Sequence, residues 1–209
     1  ELGGTVVGKG EFEQTDVQLQ GTISRFQNLD EEPDVIAICS YGAGGATAIR
    51  QLRAAGVETT LWLNLGFAGD FWVDQIGEPL DNTWMSTYVS WTGDDPRAEI
   101  NELTARYEEE YGEKQDLSYT FMGYQVIQLL AAAIETAGST DGAAIADALR
   151  SNETVGIVGK HIFDPNYNHS FEFALTVMKV ENGEASWYKI QEPDPNYDYT
   201  SLVAVAQAG

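Results

Sequence analysis

The chain has 209 residues, with 11 Lys+Arg against 33 Asp+Glu and a formal net charge of −22 at pH 7. Its 43% hydrophobic content, including 5 Trp, 10 Tyr and 8 Phe, is enough to bury a core and excludes whole-chain disorder. No apolar run approaches the roughly 18 residues of a membrane span, and the charge repels nucleic-acid phosphates and anionic lipid, so neither is an expected partner. The acidity suits a salt-adapted proteome or an ordinary acidic one.

In chain order, residues 5–9 (Thr-Val-Val-Gly-Lys) read as a short strand. Thr15 or Asp16 then caps a helix carrying Val17, Leu19, Ile23, Phe26 and Leu29 at helical spacing, and Pro33 ends it. Residues 34–40 form an almost continuous apolar run, as in a buried strand. Cys39, within that run, reads as a small buried hydrophobe rather than a nucleophile. Tyr41-Gly-Ala-Gly-Gly leads to a helix over 46–55 with Gly56 at its end. Residues 59–64 give another strand. Asp70 caps a helix to about residue 75, and residues 84–90 are a third strand. Strand–helix alternation with short loops is the pattern of βαβ units around a parallel sheet.

Three helices come next. The first starts near Pro96 and runs to Tyr111, with Ile100, Leu103, Tyr107 and Tyr111 on one face and Gly112 as its cap. Glu108-Glu-Glu110 is its solvated face. The second, over about 119–138, is apolar nearly all round and is expected to be buried. The third, over 143–149, is capped by Asp141. Beyond Gly156 the pattern changes to strands. One is short, over 159–163. In another, Phe171, Phe173, Leu175 and Val177 alternate with other residues until the phase slips at Met178. Asn182-Gly183 is a hairpin signal, with a returning strand over 186–190. Asp-Pro-Asn-Tyr occurs at 164–167 and 194–197, both as turns.

Reactive motifs are scarce. A single cysteine rules out an internal disulfide, and His161 and His169 lack metal-ligand spacing. There is neither a Gly-x-Ser-x-Gly elbow nor a phosphate loop. Gly42-Ala-Gly-Gly45 lies between a strand and a helix, where a tight packing turn is favoured over a phosphate cradle. Asn152 and Asn168 fit the glycosylation sequon, a pattern common by chance. The chain opens at Glu1 without an initiator Met or a signal peptide, so either a leader was removed or the chain is a piece of something longer.

Position is more informative. Ligands of open parallel sheets bind outside the carboxyl ends of the strands. Ser40, Tyr41, Asn64, Leu65 and Phe67 fall there. Aromatic rings beside glycine-freed backbone can hold a small molecule but offer no reactive group. That points to recognition without turnover, or to loops that merely pack on Tyr41 and Phe67.

The run from Pro33, through Tyr41-Gly-Ala-Gly-Gly-Ala-Thr to Gly56, resembles the branched-chain amino-acid (leucine/isoleucine/valine) binding proteins of ABC transporters. So do Asp95-Pro with Tyr107 and Tyr111-Gly, and Tyr119-Thr-Phe-Met-Gly-Tyr124. The residues from Ala137-Gly-Ser-Thr-Asp-Gly to Asp164 continue the match, which covers about 4–190. The resemblance implies an α/β type I periplasmic binding fold, with three-layer parallel-sheet lobes that close on a ligand like a hinge. Residues 1–91 would be most of the second lobe, 92–155 helices of the first, and 156–209 crossing strands returning to the second. Family members are much longer, so the chain resembles a C-terminal fragment. Tyr41 and Tyr119 match pocket tyrosines, with Phe121 beside the latter. Leu65 stands where amino-acid binders place a glutamate against the ligand ammonium, and leucine cannot take that role. Asp70 could replace it but reads rather as a helix cap.

The implied protein is a periplasmic or extracellular solute-binding component with no cofactor and no catalysis. It would bind an amino acid, amide or aromatic acid and dock on a membrane permease. As a fragment it could homodimerise to cover its apolar edges. A ligand-sensing receptor domain of the same fold and, more distantly, an acidic α/β enzyme are the alternatives.

Overall fold

The computed structural model describes residues 3–151, 153–164, 169–170 and 173–197. Helix α1 (Gln20–Gln27) leads to β1 (Val35–Ile38), α2 (Gly42–Ala54) and β2 (Thr60–Leu63). A 3-10 turn (Leu65–Phe67), α3 (Asp70–Ile76) and a second 3-10 turn (Glu78–Leu80) precede β3 (Thr83–Thr87). Helices α4 (Ala98–Tyr111), α5 (Ser118–Ala137) and α6 (Gly142–Ser151) follow. Four two-residue strands come next: β4 (Thr154–Val155), β5 (Lys160–His161), β6 (Phe163–Asp164) and β7 (His169–Ser170). The hairpin β8 (Leu175–Glu181) and β9 (Glu184–Gln191) completes the described chain up to its last few residues.

The main sheet has the order β1-β2-β3-β8-β9. Its first three strands are parallel, and β8 joins β3 antiparallel, with Thr87 opposite Thr176. The phase slip read at Met178 is a bulge. Val177 pairs Lys189 while Met178 pairs Trp187, leaving Tyr188 as the extra residue. Asn182 (φ 53°) and Gly183 (φ 76°) form the expected two-residue turn.

Alternation divides the sheet into two faces. Ile36, Ile38, Leu61, Leu63 and Met85 lie under α1–α3 with Ile49, Leu52 and Val73, all nearly inaccessible. Burying each large side chain of this kind contributes about 1.5–3 kcal/mol. On the other face Val35, Trp62, Trp84 and Tyr188 line an open groove of about 360 Å³, where the Lys179 ammonium sits 5.2 Å from the Trp84 ring. The run over 34–40 is therefore not buried on both sides. Val35 is half exposed and Cys39, expected inside, is exposed, because odd positions of β1 point away from the helices.

Several local expectations need correction. Residues 5–9 form no strand; together with residues 31–37 they line a cleft of about 720 Å³. Helix α1 begins later than Asp16 would place it. Gln51 of α2 accepts the Leu19 N–H (2.8 Å) and donates to the Val17 carbonyl (2.9 Å), which holds that stretch outside the helix. Asp16 instead accepts the Glu13 N–H. Helix α2 starts at Gly42, so the glycine-rich stretch is its first turn. A Cβ on Gly45 would lie 2.3 Å from the Phe67 ring, which makes close packing the reason for glycine there. Asp70 is the first residue of α3 and not its cap; Gly69 holds that place.

The largest departure is α5. Its buried line is Ser118, Phe121, Gln125, Leu129 and Ala133. Tyr124, Val126, Ile127 and Leu130 are 41–65% exposed. An apolar composition does not bury a helix on sides where no described element packs against it. Elsewhere the expected ends hold. Asp141 accepts the Ala143 and Ala144 N–H groups at the start of α6, and Gly112 closes α4 in left-handed conformation; Gly138, not singled out from the sequence, closes α5 in the same way. The second Asp-Pro-Asn-Tyr is a turn, with the Tyr197 N–H on the Asp194 carbonyl. Most of the first copy, Phe171, Asn152 and Asn168 lie outside the described residues.

Past α5 the chain is tied down by one buried amide. Gln125 is fully buried, and its Oε1 accepts the Val158 (2.6 Å) and Gly159 (3.1 Å) N–H groups. Its Nε2 meets His161 Nε2, and the His161 ring stacks on Phe163 and Phe173. Burial holds the His161 imidazole below its usual value of 6.5. The unfolded chain therefore binds a proton where the folded chain does not. This contribution is complete above about pH 6.5 and is lost as pH falls below it, by at most about 1.4 kcal/mol per pH unit. Between pH 7.5 and 5.5 the urea midpoint of the native chain should fall further than that of His161→Gln. Equal falls would rule the linkage out.

Candidate ligand-binding site

The carboxyl ends of β1, β2 and β3 converge at one edge of the sheet. After β1, the buried Ser40 receives two contacts: its N–H donates to Asn64 Oδ1 (3.2 Å), and its Oγ accepts from Gln14 Nε2 (2.8 Å). Gly66 brings the β1 and β2 loops together. A Cβ there would stand 2.4 Å from the Ser40 carbonyl oxygen and 2.5 Å from Tyr41 Cβ. The Tyr41 side chain is 67% exposed beside this contact.

Helix α5 joins the same edge through its first residues. The Asp70 N–H donates to the Asp116 carbonyl (3.0 Å), and the Ser118 N–H donates to the Ala68 carbonyl (3.2 Å). The buried Ser118 hydroxyl receives Thr87 Oγ1 (2.6 Å) and the N–H groups of Tyr88 (3.3 Å) and Val89 (3.2 Å). The start of α5 is thereby fixed to the end of β3, and the Tyr119 and Tyr88 rings meet edge to face at 5.7 Å. Burial raises both phenol pKa values above the ordinary 10, and Tyr88 itself adds to the rise at Tyr119. Both hydroxyls stay neutral donors at physiological pH.

The structure thus places Ser40, Tyr41 and Asn64 on the loops at this edge, Leu65 at the start of the 3-10 turn and Tyr119 in the first turn of α5, linked to them by the contacts above. Phe67 and Phe121, each 1% exposed, belong to the core instead. Phe67 supports the edge from beneath, against Gly45 and the Trp72 ring. Asp70 is engaged elsewhere, since its Oδ1 accepts the indole N–H of the buried Trp91 (2.6 Å). Tyr88 and Gln14 are the residues that sequence reasoning missed. The rule that found Tyr41 would have found Tyr88 had the third strand not been drawn on to Ser90. Gln14, an exposed amide in an irregular segment, carries no sequence signal.

A sequence profile of the periplasmic binding proteins matches residues 1–185. The chain belongs to that family. The fold agrees with type I members. The leucine-binding protein of Thermotoga maritima superposes with a TM-score of 0.72 at 24% identity, over 88% of this chain and 51% of that one. The branched-chain amino acid transporter substrate-binding protein of Streptococcus pneumoniae, solved with isoleucine, gives 0.69 at 21% identity, over 87% and 51%. An ABC-transporter solute-binding protein of R. palustris, solved with benzoate, gives 0.65 at 16% identity, over 86% and 48%. The chain spans about half the length of these proteins. No curated protein matches it.

Proposed function

We propose that this periplasmic binding protein chain contributes one wall of a cleft that takes a small organic ligand, as the solute-binding component of an ABC importer. Loading would close the cleft by hinge motion, and the loaded form would present the ligand to a membrane permease outside the cytoplasm. On this reading residues 1–91 build most of one lobe, 92–155 supply helices to the other, and 156–209 cross back. The role is recognition, with no bond made or broken.

The observation that carries the reading is the set of neutral and aromatic groups gathered at the strand ends: Ser40, Tyr41, Asn64, Tyr88 and Tyr119. The carboxylate closest in sequence to Leu65, that of Asp70, is occupied by Trp91. One Asp70 oxygen is thereby committed to the indole N–H and the wall groups named above are neutral, so an amide or aromatic acid suits the wall better than a free amino acid. Titration calorimetry with benzamide, benzoate, L-leucine and L-isoleucine tests this. We expect one of the first two to bind tightest, and Tyr41→Ala and Tyr119→Ala each to weaken it about tenfold, or about 1.4 kcal/mol. Heat from none of the four, or binding indifferent to both substitutions, would sink the proposal.

A further inference from the structure

Tyr88 is held at both its backbone N–H and its carbonyl, and one of the groups on the carbonyl is the guanidinium of Arg97, a residue outside the wall named above. The Tyr88 N–H rests on Ser118 Oγ. Its carbonyl accepts from Arg97 Nη2 (3.2 Å) and from Thr176 Oγ1 (3.1 Å). Arg97 Nη2 also donates to Thr176 Oγ1 (3.1 Å), closing a small ring of hydrogen bonds around that carbonyl. Arg97 Nη1 donates to the Val158 carbonyl (2.6 Å). The guanidinium is aimed by Asp95, whose two oxygens accept Nε (2.8 Å) and Nη2 (2.8 Å). The Asp95 side chain has no exposed surface, and that of Arg97 has 19%.

One planar fork thus grips three separated stretches: the exit of β3, the loop before β5, and β8. A lysine would not reproduce this, because its ammonium concentrates three donors at one point, whereas the guanidinium spreads five over a rigid planar fork that reaches all these acceptors at once. The ring of the gripped residue lies between Tyr119 and Phe173, at 5.7 Å from each.

We propose that Arg97 is a positioning residue for the ligand wall, acting through the Tyr88 carbonyl to fix the Tyr88–Tyr119 aromatic pair. The importance of that pair rests on the functional reading above; the positioning itself does not.

The test is a ¹H–¹³C spectrum of protein labelled at tyrosine rings, recorded without ligand. Tyr88→Phe, Tyr119→Phe, Tyr111→Phe and Tyr188→Phe assign the signals. In Arg97→Met we expect the Tyr88 and Tyr119 signals to move together by more than a linewidth, while Tyr111 and Tyr188 stay in place. Ile49→Val, a destabilising change on the buried face of α2, should move none of the four. If Arg97→Met does not fold, Arg97→Lys and Thr176→Val are read the same way. Unmoved Tyr88 and Tyr119 signals in a folded Arg97 variant, or in both substitutes, would overturn the assignment. Because no ligand is present, that result is independent of whether benzamide or benzoate binds.

Discussion

Asp95→Ala is expected to cost about 3–5 kcal/mol of folding stability, the usual loss when one partner of a buried ion pair is removed. Asp95 is fully enclosed, and besides both guanidinium contacts it accepts the backbone N–H of Ser90 (2.8 Å) and of Arg97 (3.0 Å). Alanine would leave the guanidinium without its counter-charge and a buried N–H without an acceptor, two penalties that add in the same direction. Urea unfolding should show a lower midpoint with an unchanged slope. The comparison is Asp147→Ala, which breaks the solvent-facing Arg150–Asp147 pair on α6. There the Asp147 side chain is 78% exposed, and the cost should stay below about 1 kcal/mol. Equal costs at the two sites would show that the buried pair is not a structural anchor.

The second large effect is expected at Gly66. Alanine there would push its Cβ against the Ser40 carbonyl oxygen and Tyr41 Cα and Cβ, atoms at or next to the backbone that cannot swing aside. Overpacking of this kind costs about 1–3 kcal/mol. The strain falls on the loop that carries Tyr41, so affinity for the tightest of the four probe ligands should drop by more than tenfold as well. Gly123→Ala is the control, since nothing lies within 4 Å of its would-be Cβ on α5. It should leave binding unchanged and raise stability by up to about 1 kcal/mol. If Gly66→Ala binds and unfolds like the native chain, the two loops do not meet as described, and the wall built on them fails with it.

The Gly66 effect arises from a contact between segments far apart in sequence, while Asp95 holds groups two and five residues away and reaches distant segments only through Arg97; those distant contacts mark the boundary of what could be read beforehand. The parallel β1–β3 frame was legible because apolar runs six or seven residues long alternate with helical segments. The β8–β9 hairpin was legible because Asn182-Gly183 and the broken alternation at Met178 leave local marks. Asp141 and Gly112 act on their own helix ends, and their roles follow from backbone groups within a turn. The strand-end rule placed Ser40, Tyr41, Asn64 and Leu65 at the edge of the sheet. The same rule could not tell an exposed ring from a buried one, so it treated Tyr41 and Phe67 alike.

What the sequence determined by itself is therefore most of the order of elements and the parallel frame, together with which residues stand at the carboxyl ends of its strands. These depend on periodicity and on caps, which act over a few residues. Only the tertiary structure decided which faces those elements bury. It left α5 with an apolar side exposed, turned Cys39 outward, released residues 5–9 from the sheet and moved Asp70 from cap to partner of Trp91. It also made Arg97 a junction of three segments, 61 and 79 residues from two of its acceptors. A hydrogen bond or a close approach across such separations is set by where the whole chain packs, and no local pattern records it.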